Sequence, residues 1–402
     1  MDSVMAQVVA TEHEDAVATP VAHWGGVFAM TLCVFALIAS EFMPVSLLTP
    51  LAADLQVSEG LAGQGIAISG AFAVLTSLSL SWVAGRLDRK TLLLLMTALM
   101  AVSGAVVAWA PNYAVYMVGR ALIGIVVGGF WSMSAATAMR LVPRADVPRA
   151  LAVFNGGNAL ATVVAAPLGS YLGAVIGWRG AFFCLIPIAA ITFAWQWISL
   201  PAMPAERRAH AGNVLVLLRR GPIAWGMAAC GLFFMGQFAL FTYLRPFLET
   251  VTHVDASTLS LMLLTMGVAG VIGTLVIGNF LRRGLFLTLV TIPVVMAVIA
   301  LGLIPAGASA VAAALLLGLW GLLATAAPVG WWNWIAEAMP QEAEAGGGLM
   351  VAIVQSAIAL GSIVGGLLFD RHGYASTFVA SAGVLLLAAM ATLMAARLRL
   401  RG

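Results

Sequence analysis

Apolar residues run along the chain in blocks of similar length, separated by short polar breaks. The blocks fall at about 24–48, 61–83, 91–110, 114–138, 150–173 and 180–199, then at about 221–244, 257–280, 285–304, 309–335, 346–369 and 374–396. A helix that crosses a membrane needs about 20 predominantly apolar residues, so each block predicts one crossing and the chain predicts twelve. Only the turn sequence IPAGAS, residues 304–309, divides the stretch from 285 to 335. The longest polar interval, residues 201–221, separates six blocks from six. The organisation expected is a tail over 1–23, a six-helix bundle over 24–200, a linker over 201–221 and a second six-helix bundle over 222–402. The fold class expected is an all-α polytopic membrane protein.

Composition turns that pattern into a requirement. Hydrophobic residues are 62% of the 402 and charged residues 9%, against about 25% charged in a soluble domain. So little charge cannot cover a water-facing surface, and the surplus apolar area meets lipid. Orientation follows from Lys and Arg, which are in excess in cytoplasmic loops. With both termini cytoplasmic, fifteen of the nineteen cations face the cytoplasm, and only Arg120, Arg179, Arg245 and Arg371 do not. The loop after block ten holds Glu337, Glu342 and Glu344 and no cation, but acidic residues contribute little to orientation. The first twenty residues carry Asp2, Glu12, Glu14 and Asp15 and no cation. They lack the cationic start of a secretory leader and are expected to form a disordered tail.

The same composition excludes other classes. Cys33, Cys184 and Cys230 fall within apolar blocks at spacings that fit neither a disulfide framework nor a metal site. The five histidines are scattered, and no Gly-rich loop is followed by Lys, so neither a metal nor an ATP site is expected. Orientation accounts for the basic loops, and no nucleic-acid partner is needed to explain them. An intramembrane enzyme would need a nucleophile or metal constellation beyond Glu41 and Arg120. A sensor would need a soluble output segment longer than any polar stretch here. No cofactor is expected.

The two sets of blocks resemble each other. GRLDRK at 85–90 is matched by GNFLRR at 278–283, 193 residues later. At a shift of 196, Gly169 falls on Gly365, Gly177 on Gly373, Trp178 on Tyr374 and Phe182 on Phe378. The same shift lays SEFMPVSLLTP (40–50) over GQFALFTYLRP (236–246), with Glu41 on Gln237 and Pro50 on Pro246. Two parallel repeats of six spans is the arrangement of the major facilitator transporters, whose substrate site lies between the halves near the midplane.

Several motifs extend that resemblance. RALIGIVVG, Arg120 to Gly128, resembles the span-four motif of major facilitators. APLGSYLG, Ala166 to Gly173, resembles the span-five motif of antiporters, with Ala166 in place of the usual Gly. GWRGAF at 177–182 is similar to the usual entry to span six. In the loop between spans two and three, Gly85 stands where the family has an Asp and Asp88 where it has a Gly, so a gating ion pair built on that Asp is not expected. At closer range EFMPVSLLTPLAADLQVSEGLAGQ (41–64), GRALIGIVVGGFWSMSAATAMRLVP (119–143), GQFALFTYLRPF (236–247) and APVGWWNWI (327–335) resemble purine ribonucleoside efflux pumps of the bacterial drug–proton antiporter group.

The resemblance implies a major facilitator fold in a bacterial inner membrane, monomeric and working by alternating access. It implies export of a nucleoside-like small molecule in exchange for protons. Exporters of sugars and drugs share the EF-x-PV opening, so sugar or multidrug export stays open, as does uncoupled facilitation.

One carboxylate interrupts the first block. An ionised Glu at the centre of a membrane helix costs about 2.5–3.5 kcal/mol, so Glu41 needs a reason to be there. Block one runs outward, which places Glu41 about five residues, roughly 7–8 Å, beyond the midpoint. Arg120 lies at a similar depth on block four. Burial disfavours the charged form of a carboxyl group and a nearby guanidinium favours it. A pair balanced between those effects in a cavity that opens and closes takes up and releases a proton. Arg cannot give up its own, which leaves Glu41 as the titrating member. The alternative is a fixed pair that braces the outer half.

Asn155 and Asn158 share a face of block five at i and i+3, Gln237 lies near the middle of block seven, and Gln355 lies on block eleven. Such amides either match the donor and acceptor edge of a purine or bond helix to helix. Trp131 is a candidate surface for stacking on a base. Trp331, Trp332 and Trp334 are expected in an interfacial aromatic belt. Gly156, Gly157, Gly361, Gly365 and Gly366 are expected at close helix contacts.

Overall fold

Pro44 shapes the first helix. α1, Trp24–Ser46, ends in a tight turn where the Leu47 N–H bonds the Pro44 carbonyl at 3.2 Å, and α2, Leu48–Leu55, continues beyond that break. The computed structural model describes residues 22–83, 87–143, 146–204, 214–339 and 342–399. The first half continues with α3 (Glu59–Val83), α4 (Arg89–Ala108), α5 (Tyr113–Leu141), α6 (Val147–Phe183) and α7 (Leu185–Ser199). The second half consists of α8 (Gly221–Phe241), α9 (Leu244–Thr250), α10 (Ala256–Arg283), α11 (Leu285–Ala306), α12 (Ala310–Ala338), α13 (Ala343–His372) and α14 (Tyr374–Arg399). Residues 1–21 of the expected tail, Gly85, Arg86, Arg144 and residues 205–213 of the expected linker lie outside the described residues.

Among the described residues, eleven segments are long and apolar enough to cross a membrane. The longest, Gly156–Ser199, has 44 residues; at a rise of 1.5 Å per residue this is about 66 Å of helix, twice a hydrocarbon core of about 30 Å. Gly177, at φ 76° and ψ 162°, breaks it. α6 therefore holds the fifth crossing and the first six residues of the sixth, 178–183, and the expected twelve stand. Gly373, 196 residues on, repeats the break at φ 76° between α13 and α14. Glycine enters this left-handed region without the Cβ penalty that other residues meet. Two non-glycine residues with positive φ, Gln56 and His253, likewise follow α2 and α9.

The two halves also pack alike. Gly124 and Gly128 of α5 face the main-chain oxygens of Ser69 and Ala73 on α3, where a Cβ would collide. In the second half Gly321 of α12 faces the Met266 oxygen of α10, and Gly270 of α10 sits beneath Thr325. These are equivalent crossings at a shift of 197, with the second small residue moved to the other helix. Gly169 of α6 lies on Met43 and Ser46, and Gly365 of α13 lies on Ala239. Gly157, Gly361, Gly365 and Gly366 meet neighbouring helices as expected, whereas Gly156 faces open space. The halves join where α13 packs on α3 and α10 on α6.

One more expectation changes. Trp331 and Trp334 are buried in the core of the second half, with rings 6.0 Å apart, and only Trp332 is exposed. Three tryptophans within four residues cannot all share one helix face, and here two point inward. Asp88 caps α4, accepting from the Lys90 and Thr91 amides at 2.8 and 3.2 Å, and also holds the Met203 amide at 2.7 Å. An N-cap role accounts for an acid at that position.

Candidate functional site

A proline without an N–H leaves the carbonyl four residues before it without its helical partner. In α1 that carbonyl belongs to Ser40, and Arg120 of α5 takes it. The guanidinium donates through Nη1 to the Ser40 oxygen at 2.8 Å, through Nη2 to the Glu41 oxygen at 2.8 Å and through Nε to the Gly65 oxygen of α3 at 3.1 Å. Arg120 is 0% exposed and Glu41 3%. The two residues thus meet through the main chain of Glu41, and no ion pair between their side chains occurs among the described residues. A fork of rigid donors suits this task, because a guanidinium presents five N–H groups in one plane.

The Glu41 carboxylate turns to the other half instead. Gln355 of α13 donates to it through Nε2 at 3.4 Å, a bond that spans the boundary between the two bundles. The remaining oxygen of Gln355, Oε1, is buried with no hydrogen-bond partner, as is Oε1 of Gln237 on α8. Glu41, Gln237 and Gln355 each adjoin in sequence a member of one apolar cluster. That cluster contains Val45, Ile66, Phe238 and Ile358, with Phe42 and Val354 packed against it. Phe42 and Phe238 are 196 residues apart in the chain, and their rings lie 5.5 Å apart. Repeat-related rings in contact mark the pseudo-two-fold axis.

Two other candidates lie elsewhere. Trp131 packs edge-on to Phe130 and Phe154 at 6.3 and 6.2 Å, within the core of the first half. Asn158 is half-buried on α6, and among the described residues its side-chain amide bonds nothing; its main-chain oxygen accepts from Thr162 at 2.7 Å. The side chain of Asn155 lies outside the described residues.

At the end of the molecule away from the termini, several bonds tie the halves together. The Asp370 carboxylate of α13 accepts from the Ser58 hydroxyl at 2.5 Å and the Gly60 amide at 2.9 Å, capping α3 from the opposite bundle. The Tyr243 hydroxyl lies 2.7 Å from the Ser362 oxygen and 3.4 Å from that of Gly60. Arg245 donates to the Ser46 oxygen and pairs with Glu249 at 2.8 Å. The site is therefore closed off on that side. Within the first half, Asp54 of α2 takes both Arg179 and, at 3.0 Å, the Trp178 indole, pinning the turn at Gly177. The Arg179 hydrogen bond holds the Asp54 carboxyl below its usual range.

No residue-level signal in the sequence marked the Asp370 cap or the Arg245 contact. Pro44 was readable as a source of a free carbonyl at Ser40. Phe238 was readable as the repeat partner of Phe42.

A family model described as Major Facilitator Superfamily matches residues 30–362. A protein of Pseudomonas aeruginosa described as transcription regulatory protein OpdE is 65% identical over 93% of this chain and 94% of its own length. The purine ribonucleoside efflux pump NepI of Salmonella paratyphi B is 40% identical over 96% of each chain. Among solved structures, the nucleoside transporter NupG aligns with a TM-score of 0.75 at 12% identity, over 92% of this chain and 99% of that one. A bacterial homologue of the lysosomal transporter Spinster, in an inward-facing conformation, aligns at 0.75 and 14% identity over 94% and 98%. At such identities the structures speak for the fold alone. With twelve crossings in two repeated halves, a family match along most of the length and relatives of this similarity, the chain belongs to the Major Facilitator Superfamily.

Proposed function

We propose that this transporter is a proton-coupled secondary active exporter of purine ribonucleosides and their analogues. It lies in a bacterial inner membrane with both termini cytoplasmic and works as a monomer. Glu41 exchanges the proton. Arg120 holds the main chain of α1 in place around it. Gln237 and Gln355 contact substrate. The observation that carries this reading is a buried carboxylate hydrogen-bonded across the boundary between the halves. Alternating access separates those halves, so a proton on Glu41 bears directly on whether they stay together. The substrate class rests on the 40% identity to a purine ribonucleoside efflux pump.

Purified protein in proteoliposomes with an imposed pH gradient tests this, with inosine, guanosine, a pentose and a cationic dye compared. Accumulation of the nucleosides supports the reading. Movement of the pentose or the dye alone reassigns the chain to sugar or multidrug export, and nucleoside flux that ignores the gradient makes it a facilitator. A sensing role, favoured by the name of the 65% identical relative, predicts that nucleosides bind and none cross.

A further inference from the structure

The bond between Glu41 and Gln355 has a direction. An ionised carboxylate can only accept hydrogen bonds, so the end of the amide that Gln355 turns toward it is Nε2. The other end, Oε1, is thereby aimed elsewhere, and it is buried with no partner. A buried acceptor without a donor is destabilising, and a ligand that brings an N–H or O–H to that point removes the defect. Protonation of Glu41 makes the reverse arrangement available. The acid then has an O–H to give beside its remaining acceptor oxygen, and rotation of the amide about its last side-chain bond would let Oε1 accept it and bring Nε2 to the position Oε1 held.

We propose that Gln355 is a specificity-determining relay. It shows the substrate an acceptor while Glu41 is ionised and a donor once Glu41 is protonated. The inference rests on the proton-coupled reading above and adds the part that makes proton and substrate exclude one another. A ligand with a donor at this point binds the ionised form and is rejected by the protonated one.

The surroundings leave Gln355 as the polar partner of the carboxylate. Arg120 of α5 is occupied by three main-chain oxygens. Tyr116 of α5 packs on Gly65, and Cys33 of α1 lies 3.6 Å from Thr97. Arg245 of α9 is held by Ser46 and Glu249. Among the described residues, α3, α6, α7, α8 and α13 bring no buried charged side chain to the site.

The test measures inosine binding to the full chain in detergent across pH. Wild type should bind best at neutral pH and weaken on acidification, while Glu41→Gln should bind independently of pH. Gln355→Met, of similar volume, should bind about 2–10-fold more weakly at neutral pH, the worth of one neutral hydrogen bond, and its pH dependence should flatten. A Gln355→Met profile parallel to wild type overturns the relay while leaving proton coupling intact. A wild-type profile already flat overturns the proton-coupled reading beneath it. Infrared difference spectra of wild type carrying isotope-labelled glutamine need no mutant to fold. A glutamine amide band should shift with the same midpoint as the Glu41 carboxyl band, and no shift there sinks the relay.

Discussion

The two halves share a scaffold and differ in where they keep charge. Gly124 against Ser69 in the first half and Gly321 against Met266 in the second are the same helix crossing. One turn from Gly124 stands Arg120, and at the equivalent place in the second half stands Leu317, both fully buried. Glu41 is matched by Gln237. The second half therefore closes its bundle with apolar and neutral side chains at places where the first half buries an acid and a base. Taking ions out of water is expensive even when they are compensated. On the proton-coupled reading proposed above, charge retained at these two places at such a cost serves the transport cycle.

Substituting second-half residues into the first half puts this to the test. Arg120→Leu should have the largest effect. It removes every donor on the Ser40 carbonyl that Pro44 leaves free, and it strips Glu41 of its cationic neighbour. A loss of about 3 kcal/mol or more is expected, since a single unsatisfied buried group already costs about 1–3 kcal/mol, and transport should vanish. Thermal melting in detergent reports it, and an unchanged melting temperature would mean that the guanidinium supports nothing. Arg120→Lys keeps the charge but not the planar fork and should recover only part of the loss.

Glu41→Gln comes next. Gradient-driven accumulation should disappear while exchange of substrate down its own gradient persists. Stability should hold or rise by about 1 kcal/mol, because a buried charge has been replaced by a neutral group. Vesicle accumulation equal to wild type under a pH gradient would move the coupling elsewhere.

Asp370→Ala should act more mildly. It removes the cap that the second half supplies to α3, worth about 1 kcal/mol for a typical N-cap, or several-fold in population. The end away from the termini should open more often. Spin labels at Gln56 and His253, exposed on opposite halves, should report a larger share of long distances.

The smallest effect is expected at Asp54. Its partner Arg179 is well exposed, and exposed pairs are typically worth about 0.2–1 kcal/mol. Because Arg179 holds the carboxyl below its usual range, the contribution is complete above the unfolded value of about 3.9 and is lost as pH falls through the lower folded value. Asp54→Asn should therefore lower stability slightly at neutral pH and match wild type in strong acid. A difference that grows on acidification would reverse the sign.

Periodicity and repeat offset carried most of the architecture. Twelve crossings were readable because block length reports membrane thickness, and the Gly177 and Gly373 breaks were readable because the repeat aligned them. That Glu41 and Arg120 lie in the interior at similar depth followed from position along each span. Which atoms they use did not follow, since depth says nothing about side-chain direction. Arg120 reaches main-chain oxygens, and the carboxylate reaches Gln355. The tryptophans near residue 332 misled for a related reason, because a helix end carries the same residues whether it faces lipid headgroups or a core. The Asp370 cap joins residues 312 apart in the chain and leaves no local trace.

The turn at Gly177 also bears on how the chain is made. Crossings five and six are joined by one left-handed residue, so residues 156–199 reach the membrane as a single apolar stretch. Such a stretch is expected to insert as a hairpin, because the turn between its two crossings carries a single charged residue, Arg179. Alanine in place of Gly177, with φ 76° and ψ 162°, would add local strain of about 1–3 kcal/mol. The consequence for topology would be larger, because a hairpin that enters as one long helix leaves every later crossing facing the wrong way. Gly373 sets the same condition on the pair of crossings formed by α13 and α14.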